Sequence, residues 1–266
     1  MKAIETVPLN QNVENRLFKF MNQDRISHFY AIHNLQHLRE KTQTWVALSN
    51  NKVEAYLMEY DKRILYMRGH QKCAISLLRN SNLTTPLFNI EPKHLSAVKR
   101  LYEPTEPADK STVGLITTFK TMKTAPESFT PIIRHRVQQL KRENAQALAS
   151  LLGIEPSTAL NFFKGLAFGT FKGNRLISFA ASPEMLKDLA IIRGVQTVPE
   201  ERNKGYSTSV CSVLVQRLQQ QGKDVMLYVS KDNPAAIQVY RKIGFKETGH
   251  EFLGFMAKKR NVRHEL

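Results

Sequence analysis

Between Leu189 and Phe245 the sequence switches repeatedly between strand-like and helix-like hydrophobic periods, and this restricts the fold more than any other feature. Leu189–Val198 is a β-rich run, and Pro199 ends it because proline has no N–H to give to a ladder. Ser207–Gln221 then reads as an amphipathic helix, with Val210, Cys211, Val213, Leu214 and Leu218 at helical spacing. Gly222 stops the helix, Val225–Val229 is a buried strand, Asn233–Ile243 is a second helix, and Phe245 returns the chain to strand. Strands alternating with helices of this length predict an α/β sheet with crossover helices.

The chemistry in this stretch sits at the start of the first helix. Arg202-Asn203-Lys204-Gly205-Tyr206-Ser207 leads directly from strand into helix. A helix N-terminus presents unpaired N–H groups and the positive end of the helix dipole, and a glycine there lets an anion approach the backbone. Arg202 and Lys204 add positive charge. No G-K-[ST] follows, so this is not a Walker loop, and no G-x-G-x-x-G is present, so it is not a dinucleotide fingerprint.

Two motifs at this separation resemble the GNAT superfamily of N-acetyltransferases. Arg202–Ser207 is similar to the family's pyrophosphate loop, Q/R-x-x-G-x-G/A, with Ser207 in place of the usual glycine or alanine. It is preceded by V-x-T-V-P-E-E (Val195–Glu201), similar to the family's fourth strand and its exit. One helix and one strand later comes D-N-P-A-A-I-x-V-Y-x-K-I-G-F (Asp232–Phe245), similar to the second cofactor motif. The resemblance is sharp over Gly194–Gly249 and weaker over Ile133–Lys258. It implies a GNAT fold: a mixed, mostly antiparallel central sheet flanked by helices, with strands 4 and 5 splayed apart.

The resemblance also implies roles for single residues. Acetyl-CoA would lie between Leu189–Val198 and Val225–Val229, with main-chain groups of Val195, Thr197 and Val198 along its pantetheine arm. The amide of Val198 would donate to the thioester carbonyl oxygen. Arg202, Asn203, Lys204, Gly205, Tyr206, Ser207 and Thr208 would hold the pyrophosphate, largely through backbone N–H groups. Asn233 would cap the second helix, contact the pantetheine, or do both. Tyr240 would protonate the departing thiolate, since a phenol with a pKa near 10 is protonated at neutral pH; its alternative role is core packing. No carboxylate lies on Leu189–Val198, so no general base is assigned; Glu184 and Asp188, in the preceding loop, and a water chain stay open.

The first half of the chain follows the same element order with little shared sequence, and looks like a degenerate second copy. Asn12–Asn22 and Leu35–Thr42 read as helical, Thr44–Leu48 and Val53–Tyr60 form a hairpin across Asn50-Asn51, Ile64–Met67 is a strand, and Gln71–Arg79 is a helix. Its counterpart of the loop, Arg68–Cys73, lacks the pattern, so one cofactor site per chain is expected. KTMKTAPESFTP (Lys120–Pro131) is the best linker candidate. The expected domains are residues 1–122, degenerate and GNAT-like; a linker over 123–131; and 132–266, which binds acyl-CoA. Tyr102–Ser111 reads as a polar loop.

Charge and cysteine content add limits. Lys plus Arg is 39 against 23 Asp plus Glu, a formal net charge of +16. Residues 1–125 carry 18 basic and 11 acidic side chains and residues 126–266 carry 21 and 12, so the charge is spread evenly. The nearest thing to a cluster is Lys258, Lys259, Arg260 and Arg263. This favours a generally basic surface over nucleic-acid binding, although charge alone does not decide it. Cys73 and Cys211 are too few for a disulfide framework, and Cys211 lies on the apolar face of its helix, a small hydrophobe rather than a nucleophile. His33 and His37, at i and i+4, lack a third ligand and read as surface histidines; no metal is expected. No apolar run reaches the roughly 18 residues of a membrane span, and no secretory h-region opens the sequence, so a cytoplasmic monomer or homodimer is expected. The leading reading is an acetyl-CoA-dependent N-acetyltransferase acting by direct attack of a primary amine, of a small molecule or of a peptide or protein. The alternative is a catalytically silent acyl-CoA sensor or partner-docking module.

Overall fold

A computed structural model of the chain describes residues 4–106 and 115–260. The chain divides into two units, Met1–Phe119 with His250–Leu266, and Lys120–Gly249. In the first, β1 (Glu5–Pro8) is followed by Asn10, whose side-chain oxygen accepts from the N–H groups of Asn12 and Val13 and so starts α1 (Gln11–Met21). After α2 (Phe29–His37), β2 (Thr42–Ser49) and β3 (Lys52–Tyr60) form the expected hairpin, with Asn50 and Asn51 at φ of 48° and 63°. Then come β4 (Ile64–Gly69), α3 (Ala74–Leu78), β5 (Leu87–Ile90), α4 (Leu95–Leu101) and β6 (Tyr102–Thr105). Strands β1 to β4 pair antiparallel in sequence order, and β4 pairs parallel with β5. Leu57, Leu65, Met67, Leu77 and Phe88 are fully buried in its core.

The second unit takes residues 120–124 from β7 (Thr117–Thr124) and continues with β8 (Gln138–Gln139), α5 (Ala145–Leu152), α6 (Pro156–Ala159), β9 (Leu166–Lys172) and β10 (Arg175–Ser182). Next are β11 (Leu189–Thr197), α7 (Tyr206–Gln220), β12 (Asp224–Ser230), α8 (Pro234–Lys242) and β13 (Lys246–Lys259). Strands β8 to β11 are antiparallel neighbours, and β11 and β12 are parallel. The apolar stripe of α7 behaves as its spacing predicts: Val210, Cys211, Leu214, Val215 and Leu218 are buried with Val225, Leu227 and Val229 of β12 and Ile237 and Tyr240 of α8. Helices α5 and α6 pack in a separate core with Ile177, Phe179 and Ala181 of β10.

Three expectations change. The unit boundaries differ from 1–122, 123–131 and 132–266. Met122 is buried in the second unit's core, while Leu253–Met256 pair with β5 and Met256–Lys259 with β6 in the first. Tyr102–Thr105, the start of the expected loop Tyr102–Ser111, is therefore a strand, and residues 107–111 of that segment lie outside the described residues. His33 is buried, with its ring stacked on Phe29 at 6.3 Å, because α2 turns that face inward. Two side chains of the basic cluster are engaged locally: Lys259 Nζ donates to Ser81 O (2.6 Å) and Arg260 Nε to Lys99 O (3.1 Å), while Arg263 lies outside the described residues. No helix among the described residues is long and apolar enough to cross a membrane.

The first unit encloses a polar network. Arg68, 5% exposed, donates to the carbonyls of Ser27, Met67 and Asn89 and to the Asn89 side chain. His28 shares a 2.8 Å hydrogen bond with the Tyr56 hydroxyl, and His94 Nε2 donates to Gly69 O at 3.0 Å. Burial pushes both imidazoles down from 6.5 to about 4. Both are thus neutral in the folded unit, while the unfolded chain takes up protons below its own pKa of 6.5. Stability is full above that pH and falls as the pH drops from 6.5 toward 4. Thermal unfolding followed from pH 7 to pH 5 should show a falling midpoint. A His28→Gln, His94→Gln double variant should flatten that slope.

Candidate active site

The site begins where two strands stop pairing. β11 and β12 pair in parallel at Leu189↔Asp224, Ala190↔Val225, Ile191↔Met226 and Ile192↔Leu227, and no further. On its other side, β11 stays with β10, but the register slips: Phe179 and Ala181 oppose Gln196 and Arg193. Two steps on β10 thus face three on β11, a β-bulge with one extra residue. Gly194 sits in it at φ 68°, and an added Cβ would lie 2.7 Å from Phe162 Cε1 and 3.0 Å from Phe179 Cε1. A bulge bends and twists its strand, and here it comes just after the last β12 pair.

The expected residues of β11 take up defined positions. Thr197 Oγ1 and Ser178 Oγ are 2.9 Å apart in the buried sheet, and Val195 packs against the core that holds Tyr240. The Val198 amide is a correction. It donates to Ile177 O at 2.9 Å, so it is spent on β10 and is not available to a thioester oxygen. Backbone groups alternate sides along a strand, so those of Thr197 face away from β10. In agreement, Thr197 O accepts from Arg202 Nε at 3.2 Å.

After Val198 a single 3₁₀ turn, Pro199–Glu201, leads into the loop. Arg202 is extended, Asn203 has φ 62° and Gly205 has φ 84° at the head of α7. No side chain caps α7, so its first N–H groups, on Tyr206, Ser207 and Thr208, face outward from the loop. The Ser207 hydroxyl makes no cap bond to the helix. The Lys204 ammonium is likewise not aimed outward: it donates to Glu200 O (3.0 Å) and Glu201 Oε2 (2.9 Å). Lys172 holds the other Glu201 oxygen at 2.8 Å, and the two lysines pull the Glu201 carboxyl down to about 2.

The sequence reading missed the supports of this loop. His135 Nε2 donates to Lys204 O at 2.8 Å, and its ring stacks on Tyr206 with centroids 3.9 Å apart. Ser209 and Ser212, buried on α7, accept from the N–H groups of Arg134 and Ile132, both at 3.0 Å. The i, i+3 serines on an otherwise apolar face were the available signal. His135 had none, because it is far from the loop in sequence.

On α8, Asn233 is the cap: its Oδ1 accepts from Ala236 N at 3.1 Å, with Pro234 at the first helical position. Two turns on, Tyr240 is 7% exposed, its ring 5.8 Å from that of Phe245. Burial, with Cys211 nearby, raises the Tyr240 phenol well above its ordinary value of 10. Cys211 is pushed up to about 12 by burial, which suits a packed thiol and not a nucleophile. Glu184 is ion-paired with Arg193. Among the described residues no group of three or more His, Cys, Asp or Glu is placed to hold a metal ion.

The family described as FR47-like protein matches residues 167–253. Over that stretch the chain is similar to a GNAT-type domain. The stretch contains the opened strand pair, the loop and the start of the last strand. A search of curated protein sequences finds no significant match. Solved structures share the fold over nearly the whole chain. A Drosophila protein aligns at 11% identity over 94% of this chain and 98% of its own, with a TM-score of 0.68. A GNAT-family acetyltransferase from Colwellia psychrerythraea aligns at 14% identity over 96% and 100%, with a TM-score of 0.60. A tandem GNAT protein from the clavulanic acid biosynthesis pathway aligns at 13% identity over 97% and 98%, with a TM-score of 0.56. At such identities the likeness is one of fold, and the tandem protein shares it across both halves.

The first unit repeats the strand opening but fills it. β4 and β5 also pair over four positions, Ile64↔Leu87 to Met67↔Ile90. Arg68-Gly69 then stands where Arg193-Gly194 stands in the second unit, with Gly69 at φ 107°. Here the Gly69 N–H donates to Glu91 Oε2 and its carbonyl accepts from His94 Nε2, both at 3.0 Å. The backbone groups that an amide ligand would pair with are already satisfied by this unit's own side chains. In the second unit the bulge is the feature to test. A Gly194→Ala variant should lose about 1–3 kcal/mol in urea unfolding, because alanine resists this φ and its methyl meets Phe162.

Proposed function

We propose that the second unit is an acetyl-CoA-dependent N-acetyltransferase that transfers an acetyl group to a primary amine, of a small molecule or of a peptide or protein. One observation carries this reading: β11 parts from β12 at a bulge, and the same strand then runs into an uncapped, glycine-headed helix N-terminus. An extended amide-bearing arm needs an open strand edge, and its diphosphate needs free N–H groups close by. The chain offers both in sequence, Val195 to Thr197 and then Arg202 to Thr208. Gly205 fits the second requirement, since an added Cβ at that position would stand within 4 Å only of His135 Nε2, at 3.8 Å, among groups outside the loop.

When bound, acetyl-CoA would supply an activated carbonyl carbon and a good sulfur leaving group. The residues of this chain have three tasks. The outward N–H of Thr197 and the backbone of Val195 would hold the pantetheine arm in extended register, leaving Val198 to anchor the strand to β10 and Thr197 O to Arg202. The N–H groups of Gly205 to Thr208, with the Arg202 guanidinium near Thr197, receive the diphosphate. Tyr240, dry and with a raised pKa, stays protonated across the physiological range and would hold its proton ready to donate to a leaving sulfur. Asn233 starts α8 at the angle that carries Tyr240 into this core.

Calorimetric titration tests the binding half of the proposal. Wild type should bind acetyl-CoA one to one, and an Arg202→Ala, Gly205→Glu double variant should lose binding; a silent wild type would remove the reading. Tyr240→Phe tests the chemical half. It should lower kcat about 10²-fold, within the range of lost general-acid assistance, with the Kd for acetyl-CoA unchanged. Unchanged turnover would leave Tyr240 as core packing alone.

A further inference from the structure

A carboxylate stands directly before the loop proposed to receive an anion, and that charge needs a reason. Glu201 is 7% exposed, and its two oxygens are taken separately, Oε1 by Lys172 Nζ at 2.8 Å and Oε2 by Lys204 Nζ at 2.9 Å. Lys172 is the last residue of β9, so the carboxylate ties the sheet to the loop. Lys204 stands between the two left-handed residues, Asn203 at φ 62° and Gly205 at φ 84°. It is also held at its own carbonyl by His135 Nε2 at 2.8 Å. A non-glycine residue rarely adopts positive φ without being held there, and Lys204 is the residue through which Asn203 and Gly205 are held.

We propose that Glu201 is a positioning residue: by gripping Lys172 and Lys204 it fixes the backbone of Arg202–Ser207 in its anion-receiving shape, and both ammonium groups serve the loop rather than the ligand. The inference rests on the acetyl-CoA reading above and goes beyond it. It reverses the simplest electrostatic expectation. If the lysines were phosphate ligands, Glu201 would compete for them, and removing its charge would tighten anion binding. If they are struts, removing that charge frees them, loosens the backbone and weakens binding.

The experiment uses the full chain, with coenzyme A and acetyl-pantetheine, which lacks the diphosphate, titrated into wild type, Glu201→Gln and Lys172→Met. Glu201→Gln should weaken coenzyme A about tenfold, the scale of one lost charge-assisted hydrogen bond, and leave acetyl-pantetheine unchanged. Lys172→Met should weaken coenzyme A in the same direction. Tighter or unaltered coenzyme A binding by Glu201→Gln overturns the inference and leaves the acetyl-CoA reading intact. So does an equal loss for both ligands, which would mean general damage to the fold. If wild type binds neither ligand, the acetyl-CoA reading fails, and amide hydrogen exchange of the free protein decides the inference alone. Exchange over residues 202–208 must then be faster in Glu201→Gln than in wild type, and unchanged exchange overturns it.

Discussion

Parallel pairing between β11 and β12 ends at Ile192 and Leu227, and the arrangement of the second unit depends on that ending. Backbone N–H and C=O groups must find partners, so a strand that leaves one neighbour while keeping the other offers its free edge to something else. The bulge at Gly194 produces the departure, since an extra residue on β11 cannot be accommodated without bending the strand. Phe162 and Phe179 pack edge to face, with ring centroids 5.4 Å apart, and close over the place where any side chain on residue 194 would stand. The opening is therefore built by packing on the α5–α6 face, while the α7–α8 face supplies Tyr240 and the helix N-terminus.

Local electrostatics matter more in this protein than its net charge. The formal +16 is spread over both halves of the sequence, and Lys259 and Arg260 near the end of the last strand donate to backbone carbonyls. At the loop, charges of opposite sign are interleaved. Arg175 pairs with Glu200, Lys172 and Lys204 with Glu201, and Arg202 turns back to Thr197 O. Most such pairs are exposed and weak in isolation. Converging on one short turn, they hold left-handed residues in place and leave the N–H groups of α7 as the loop's unspent polar groups.

The two units show one element order put to two uses. Both fourth strands end their parallel pairing at an Arg-Gly step whose glycine is left-handed. In the second unit the strand continues past the bulge and delivers a loop. In the first it ends, and Glu91 and His94 bind the N–H and the carbonyl of its last residue, Gly69, from within, beside a buried Arg68. A buried arginine and neutral imidazoles are costly to maintain, and this unit retains them as part of a closed polar core.

Much of the second unit was legible in the sequence because its signals are local. The spacing of Val210, Leu214 and Leu218, the stop at Pro199 and the cap at Asn233 each depend on neighbours a few residues away. The Arg202–Ser207 and Asp232–Phe245 motifs carried the family. Tertiary structure alone decided the rest. The Val198 amide was committed to β10 by sheet register, which no spacing reveals. Lys172, Glu201 and His135 met at the loop from separate elements, and the burial of His33 followed from the orientation of α2. The last strand completed the first unit because pairing with β5 and β6 depends on where those strands lie. Residue order fixes short-range geometry through backbone sterics and hydrogen bonding. Which side chains and edges meet across the fold is fixed only when the sheet closes around its core.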